Sequence, residues 1–189
     1  IIKGFDETAS YEYLFGFEES YGYLVGTHAR DKDAISAVMA LCEATAYYKS
    51  KGISLYQQMD RIYEKYGYYL EDLTTITLKG ITGVEKIKQM MENYRNNLPR
   101  EFGGYKVEKI RDYLKDTITD LRTNQVTPSG LPESDVLYFE LNDDAWCAIR
   151  PSGTEPKIKF YFGVKGNSKE DAKERLEGLM NDPIFSNED

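Results

Sequence analysis

The sequence predicts an α+β protein in two parts. Residues 1–67 read as the tail of an α/β domain, and residues 68–189 as a domain of antiparallel sheet with two helices. Three observations predict this. Apolar residues keep helical spacing through 35–66. Paired cap residues open helices at Ser54, Thr82 and Ser168. Three strand signals follow one another from Val136 to Gly163.

In order along the chain, residues 11–17 (Tyr-Glu-Tyr-Leu-Phe-Gly-Phe) read as a short strand ending at a glycine turn, with a loop to about Arg30. From Asp31 or Asp33, both suited as N-caps, Ile35, Val38, Met39, Cys42 and Ala46 keep 3–4 spacing to about Lys49, and Gly52 breaks the helix. Ser54 with Gln57 is a capping box ahead of Leu55, Met59, Ile62 and Tyr66, closed by Gly67. Strand, loop, helix, helix is too little for a whole α/β domain. The second part starts near Tyr68, with a weak strand at 74–79. Thr82 and Glu85 read as another capping box, ahead of Val84, Ile87, Met91, Tyr94 and Leu98. Gly103-Gly104 turns the chain into a strand at 105–110, with a further strand across 113–121. "QVTPSGLPESD" is a turn-rich connection. Strands follow at 136–141, 145–149 and 157–163. In the last, Ile158, Phe160 and Phe162 face one way against Lys157, Lys159 and Tyr161. Ser168 and Asp171 open a final helix with Ala172, Leu176 and Leu179 inward.

With 189 residues, 41% hydrophobic and 30% charged, the chain is long enough to bury a sizeable core. A net charge of −8 excludes a general nucleic-acid binder, which needs clustered positive charge. No apolar run approaches the roughly 18 residues of a membrane span, and no basic-then-apolar leader opens the sequence. Cys42 and Cys147 lie far apart in apolar patterns. They are expected to be buried thiols in a reducing compartment, which points to the cytoplasm. The 16 tyrosines suit half-exposed layer edges. The opening "IIKGFDETASYEYLFGF" has no methionine and reads as a piece of a longer chain.

"RPSGTEPK", residues 150–157, joins two strands of an expected hairpin. Arg150 offers a planar fork of donors for phosphate. Ser152 and Thr154 add hydroxyls, and Gly153 lets backbone amides approach an anion. Pro151 and Pro156 stiffen the loop, and Lys157 and Lys159 raise the local potential. The same residues also suit a plain hairpin loop with a salt-bridged arginine. A second group is "FGFEESYGYLVG", in which Glu18 with Ser20 suits a vicinal diol and Glu19 faces away; it equally suits a solvated acidic turn. Downstream, "THARDKDA" carries His28, Arg30 and Lys32 around Asp31 and Asp33. Lys32 falls at a helix N-terminus, a favourable place for an anion; helix capping by the aspartates also accounts for this stretch. No metal-ligand spacing is recognisable.

Taken together, Glu18-Glu19-Ser20, then His28-x-Arg30-Asp31-Lys32-Asp33, then residues 150–157 resemble the α-D-phosphohexomutase superfamily, in particular its phosphoglucomutase branch. Tyr21 and Ala34 depart from the usual pattern. The resemblance implies the end of a third, sugar-binding domain followed by a fourth, TATA-box-binding-protein-like domain that binds phosphate. It assigns sugar hydroxyls to Glu18 and Ser20. It assigns phosphate to Arg150, Ser152, Gly153, Thr154 and Lys32, with His28, Arg30, Glu19 and Lys157 as further candidates. It also implies a hexose phosphate substrate, a hexose 1,6-bisphosphate intermediate, and a phosphoserine and Mg2+ carried by N-terminal domains. Neither of those loops is here: Thr8-Ala9-Ser10 is followed by Tyr11-Glu12 rather than His-Asn-Pro. A stand-alone sugar-phosphate or anion-binding module is the other reading.

Overall fold

A computed structural model describes residues 11–18, 21–78 and 80–185. The chain divides into two compact units, Ile1–Ile62 and Tyr63–Asp189.

In the first unit, β1 (Phe15–Glu18) and β2 (Gly22–Val25) form an antiparallel hairpin, with Phe15 opposite Val25 and Glu18 opposite Gly22. β2 lies where a loop was expected. Four residues are too few for a periodic signal, and pairing with β1 makes them a strand. Tyr21, just before it, sits at φ 62, a left-handed conformation uncommon for a residue with a side chain. Helix α1 (Ala34–Ser50) is capped by Asp33, whose carboxylate accepts from the Ile35 amide at 3.0 Å. Helix α2 (Leu55–Tyr66) opens on the expected capping box: the Gln57 amide donates to Ser54 Oγ at 3.2 Å and the Ser54 amide to Gln57 Oε1 at 2.8 Å.

Neither helix holds a buried residue. The apolar spacing of α1 makes the helix as expected, but Ile35, Val38 and Met39 stay exposed because nothing among the described residues covers them. An apolar groove of about 460 Å³ runs between α1 and the hairpin, lined by Phe15, Tyr23, Val25, Val38 and Leu41. Cys42, expected to be buried, is exposed for the same reason, whereas Cys147 is buried.

The second unit carries β3 (Tyr68–Thr77), α3 (Ile81–Asn96), β4 (Glu101–Phe102), β5 (Tyr105–Asp112), β6 (Thr117–Asp120), β7 (Gln125–Thr127), β8 (Leu137–Leu141), β9 (Trp146–Pro151), β10 (Lys157–Gly166) and α4 (Lys169–Met180). The strands pair antiparallel in the order β3-β10-β9-β8-β5-β6-β7, with β4 beside β5. β3 is longer than its own pattern predicts because β10 pairs with it from Thr77 back to Tyr68. β7 forms at the start of the turn-rich stretch by pairing with β6. The capping box expected at Thr82 and Glu85 does not form. Helix α3 starts after Gly80, at φ 77 with no side-chain cap, so Thr82 already lies inside it. At α4 the expected cap is present: the Asp171 amide donates to Ser168 Oγ at 3.1 Å.

The core follows from the alternation in β10. Ile158, Phe160 and Phe162 are fully buried, level with Leu137 and Phe139 of β8 and Ile149 of β9. Ile87, Met91 and Tyr94 of α3 and Leu176 and Leu179 of α4 join the same cluster. The Phe185 ring closes it, with ring centres 4.8 Å from Phe162, 5.2 Å from Phe102 and 5.4 Å from Phe160. On the alternate face of the sheet, Tyr138 and Trp146 stack at 5.6 Å. The Trp146 indole lies across Gly163, where a Cβ would collide with it. At the sheet margin, Arg95 Nε donates to both oxygens of buried Asp112 at 3.2 Å and its fork reaches Asp135 at 2.5 Å.

Phe160→Ala should cost about 3–5 kcal/mol in urea denaturation, whereas Val84→Ala, at an exposed position on α3, should stay within about 0.5 kcal/mol. Equal costs would place the core elsewhere.

Candidate functional site

The loop between β9 and β10 is held at both ends. Pro151 pairs with Ile158 and Arg150 with Lys159 in the strand register, and the Ser152 amide donates to the Lys157 carbonyl at 2.8 Å. The Lys157 amide turns back to Glu155 O at 2.7 Å, and Leu78 N donates to Pro156 O at 2.9 Å, which ties the loop to the end of β3. Ser152 Oγ accepts from the amides of Thr154 and Glu155 at 3.4 and 3.3 Å, leaving its O–H as a donor.

Arg150 alternates with buried Ile149 and is exposed. Among the described residues its guanidinium has no hydrogen-bond or ion-pair partner, so the salt-bridged alternative is not what forms. Lys159 lies beside it on β10. Lys157 is different: its Nζ pairs with Glu155 at 3.0 Å, which compensates its charge. At Gly153 a Cβ would meet nothing within 4 Å and the backbone is not left-handed, so neither packing nor conformation demands glycine there. The space it leaves is on the solvent side. The arrangement can present an arginine fork, a hydroxyl donor and an uncovered backbone to one anion.

The other residues singled out in the sequence lie in the first unit. A cleft of about 260 Å³ is lined by Tyr13, Glu18, Tyr23, Arg30, Asp31 and Lys32, among others. Lys32 Nζ stands 3.2 Å from Glu18 Oε1 and 3.8 Å from Asp31 Oδ1. The hydrogen bond to Glu18 is the main cause of a raised Lys32 pKa. The start of α1 is fixed to β2 by the Asp33 amide, which donates to Tyr23 O at 2.8 Å. Sequence reasoning gave Gly22 no role. It sits in a strand, yet a Cβ there would lie 2.6 Å from Glu18 Cγ and Oε1 and against Lys32 Cδ. A glycine inside a short apolar run was the available signal of close approach. His28 lies outside the cleft lining, its Nε2 2.9 Å from Asp33 Oδ2. Glu19 and Ser20 lie outside the described residues. The structure thus gathers Glu18, Arg30 and Lys32 in one unit, and Arg150, Ser152, Gly153, Thr154 and Lys157 in the other.

Among the described residues no group of three or more His, Cys, Asp or Glu is arranged to hold a metal ion. No helix among them is long and apolar enough to cross a membrane.

The Asp33 carboxyl is held at about 2, below its ordinary 3.8, by the His28 hydrogen bond first and then by the Ser36 hydroxyl and Ile35 amide. A carboxylate lowered on folding stabilises above its unfolded value, and that stability is lost as pH falls through the folded value. Asp33→Asn should therefore melt lower than the parent near neutral pH, with the gap closing between about pH 4 and pH 2. A gap constant through that window would assign the Asp33 charge no native partner.

Residues 1–66 match the family described as phosphoglucomutase/phosphomannomutase, alpha/beta/alpha domain III, and residues 97–179 match phosphoglucomutase/phosphomannomutase, C-terminal domain. Phosphoglucomutases of Staphylococcus aureus strains MSSA476 and MRSA252 are 35% identical over 167 residues, covering 88% of this chain. The chain spans 30% of the length of these relatives. In fold it is similar to the open form of pp63/parafusin, a phosphoglucomutase from Paramecium, with a TM-score of 0.57 at 17% identity, covering 95% of this chain and 30% of the other. With two consecutive domains of one family matched in order, this chain belongs to the phosphoglucomutase/phosphomannomutase family.

Proposed function

We propose that the chain supplies the sugar- and phosphate-recognising part of a phosphohexomutase, most closely a phosphoglucomutase, that interconverts hexose 1-phosphate and hexose 6-phosphate. The observation that carries this reading is the exposed Arg150 fork, unpartnered among the described residues, at the mouth of a pinned hairpin loop in a chain of this family.

Residues 1–67 act as the sugar-binding end of the third domain and residues 68–189 as the phosphate-binding fourth. Arg150, the Ser152 and Thr154 hydroxyls and the backbone at Gly153 hold the phosphate that is not being transferred. Lys32 assists, and Glu18 and Ser20 take ring hydroxyls. His28, through Asp33, shapes the start of α1, and Arg30 lines the cleft as a further candidate for phosphate. Lys157, already paired with Glu155, contributes less. Binding energy from the resting phosphate positions the reacting end, and the same residues accept the sugar either way round as a hexose 1,6-bisphosphate reorients. Phosphoryl transfer depends on positioning and charge neutralisation. The phosphoserine donor, and the Mg2+ that neutralises charge on the moving group, belong to parts of such an enzyme with no counterpart in this sequence. Two free thiols suit a reducing, cytoplasmic setting.

In the intact protein, Arg150→Ala should raise KM and lower kcat together. The loss in kcat/KM should be about 10- to 100-fold, as for a hydrogen bond to a charged group. Arg150→Lys should recover only part, because the fork is lost. Kinetics unchanged in Arg150→Ala, or amide signals of Gly153 and Thr154 unmoved by millimolar glucose 1-phosphate, would remove the loop from the site.

A further inference from the structure

We propose that Glu18 masks Lys32 in the unliganded cleft, so that the cleft discriminates against bare anions and opens to a ligand bringing hydroxyl groups and phosphate together. The inference rests on the roles given above to Glu18 and Lys32 and adds a specificity mechanism to them.

Three features carry it. Glu18 and Lys32 are on different elements, one at the end of β1 and the other just before α1, yet their charged atoms meet at 3.2 Å within one cleft. The room for that meeting is kept by the missing side chain of Gly22, opposite Glu18 in the hairpin, where a Cβ would press on both side chains. The elements are also fixed relative to each other by the Asp33–Tyr23 backbone bond, so the pair does not depend on a wandering helix end.

The consequence for binding is asymmetric. An inorganic phosphate that takes Lys32 leaves the Glu18 carboxylate beside it, parted from the Lys32 ammonium and next to a new anion. A sugar phosphate replaces both partners at once: its phosphate meets the ammonium and its hydroxyls donate to the carboxylate. Discrimination therefore comes from an element that disfavours the wrong ligand as well as from contacts to the right one. Both side chains are about half exposed, so the masking is modest, about two- to five-fold in affinity. Asp31, 3.8 Å from Lys32 and well exposed, adds to the mask without replacing it.

The test is an NMR titration of the intact protein, reading dissociation constants from the Gly22 amide, which lies against both side chains of the pair. The probes are inorganic phosphate and glucose 1-phosphate; the variants are Glu18→Gln, Lys32→Met and the double variant. Glu18→Gln should bind phosphate about two- to five-fold tighter and glucose 1-phosphate more weakly. The tightening should vanish in the Lys32→Met background. Phosphate affinity unchanged in Glu18→Gln, or a tightening that persists without Lys32, overturns the masking; the second result would mean that Glu18 acts only through its field. If Lys32→Met weakens both ligands while Glu18→Gln tightens neither, the masking alone fails. If Lys32→Met changes neither ligand, the phosphate role of Lys32 fails and the masking falls with it.

Discussion

The second unit depends on the period-two alternation of β10. One face of that strand, Ile158, Phe160 and Phe162, forms the floor on which both helices and the Phe185 ring pack. Its two edges carry β3 and β9. A slip of one residue would turn three fully buried side chains to solvent and bring Lys157, Lys159 and Tyr161 inward, so the register is strongly fixed. The loop at 150–157 inherits that fixity because it joins β10 to its neighbour. Core packing therefore determines where Arg150 stands, although Arg150 itself is exposed.

Electrostatics in this chain are local. A net charge of −8 says little about a site when screening confines exposed charges to about 8–10 Å. What matters is which cations are already spoken for. Lys157 is neutralised by Glu155, Lys32 by Glu18 and Asp31, and Lys165 by Asp144 at 2.9 Å. Among the described residues Arg150 stands without an acid, beside Lys159. Sequence proximity alone would rank Lys157 with Arg150; pairing separates them.

Much of the fold was legible in the sequence because strong periodicity survives folding. The alternation at 157–163 and the caps at Ser54 and Ser168 appear as read. The missed strands share a cause: β2, β7 and the N-terminal half of β3 are strands because a partner lies alongside, and a partner is not visible in a local pattern. The stripe on α1 shows the converse, since the spacing of Ile35, Val38 and Met39 specifies a helix without specifying what covers it. At the candidate site, residue types were legible and their states were not. That Arg150 stays unpaired among the described residues while Lys157 does not, and that Gly22 makes room for a pair formed by residues four before and ten after it, are facts of three-dimensional approach.

Trp146 is the chain's single tryptophan, and it lies on β9 four residues before Arg150, stacked on Tyr138 and laid across Gly163 of β10. Its indole is thus clamped between the two strands on either side of its own. Light absorbed by Tyr138 has a nearby acceptor, so emission from this one ring reads the spacing of β8, β9 and β10 together. Any adjustment transmitted from the loop into its supporting strands would appear as a change in colour or yield. The protein carries a built-in optical gauge, placed at the root of the hairpin and away from its tip.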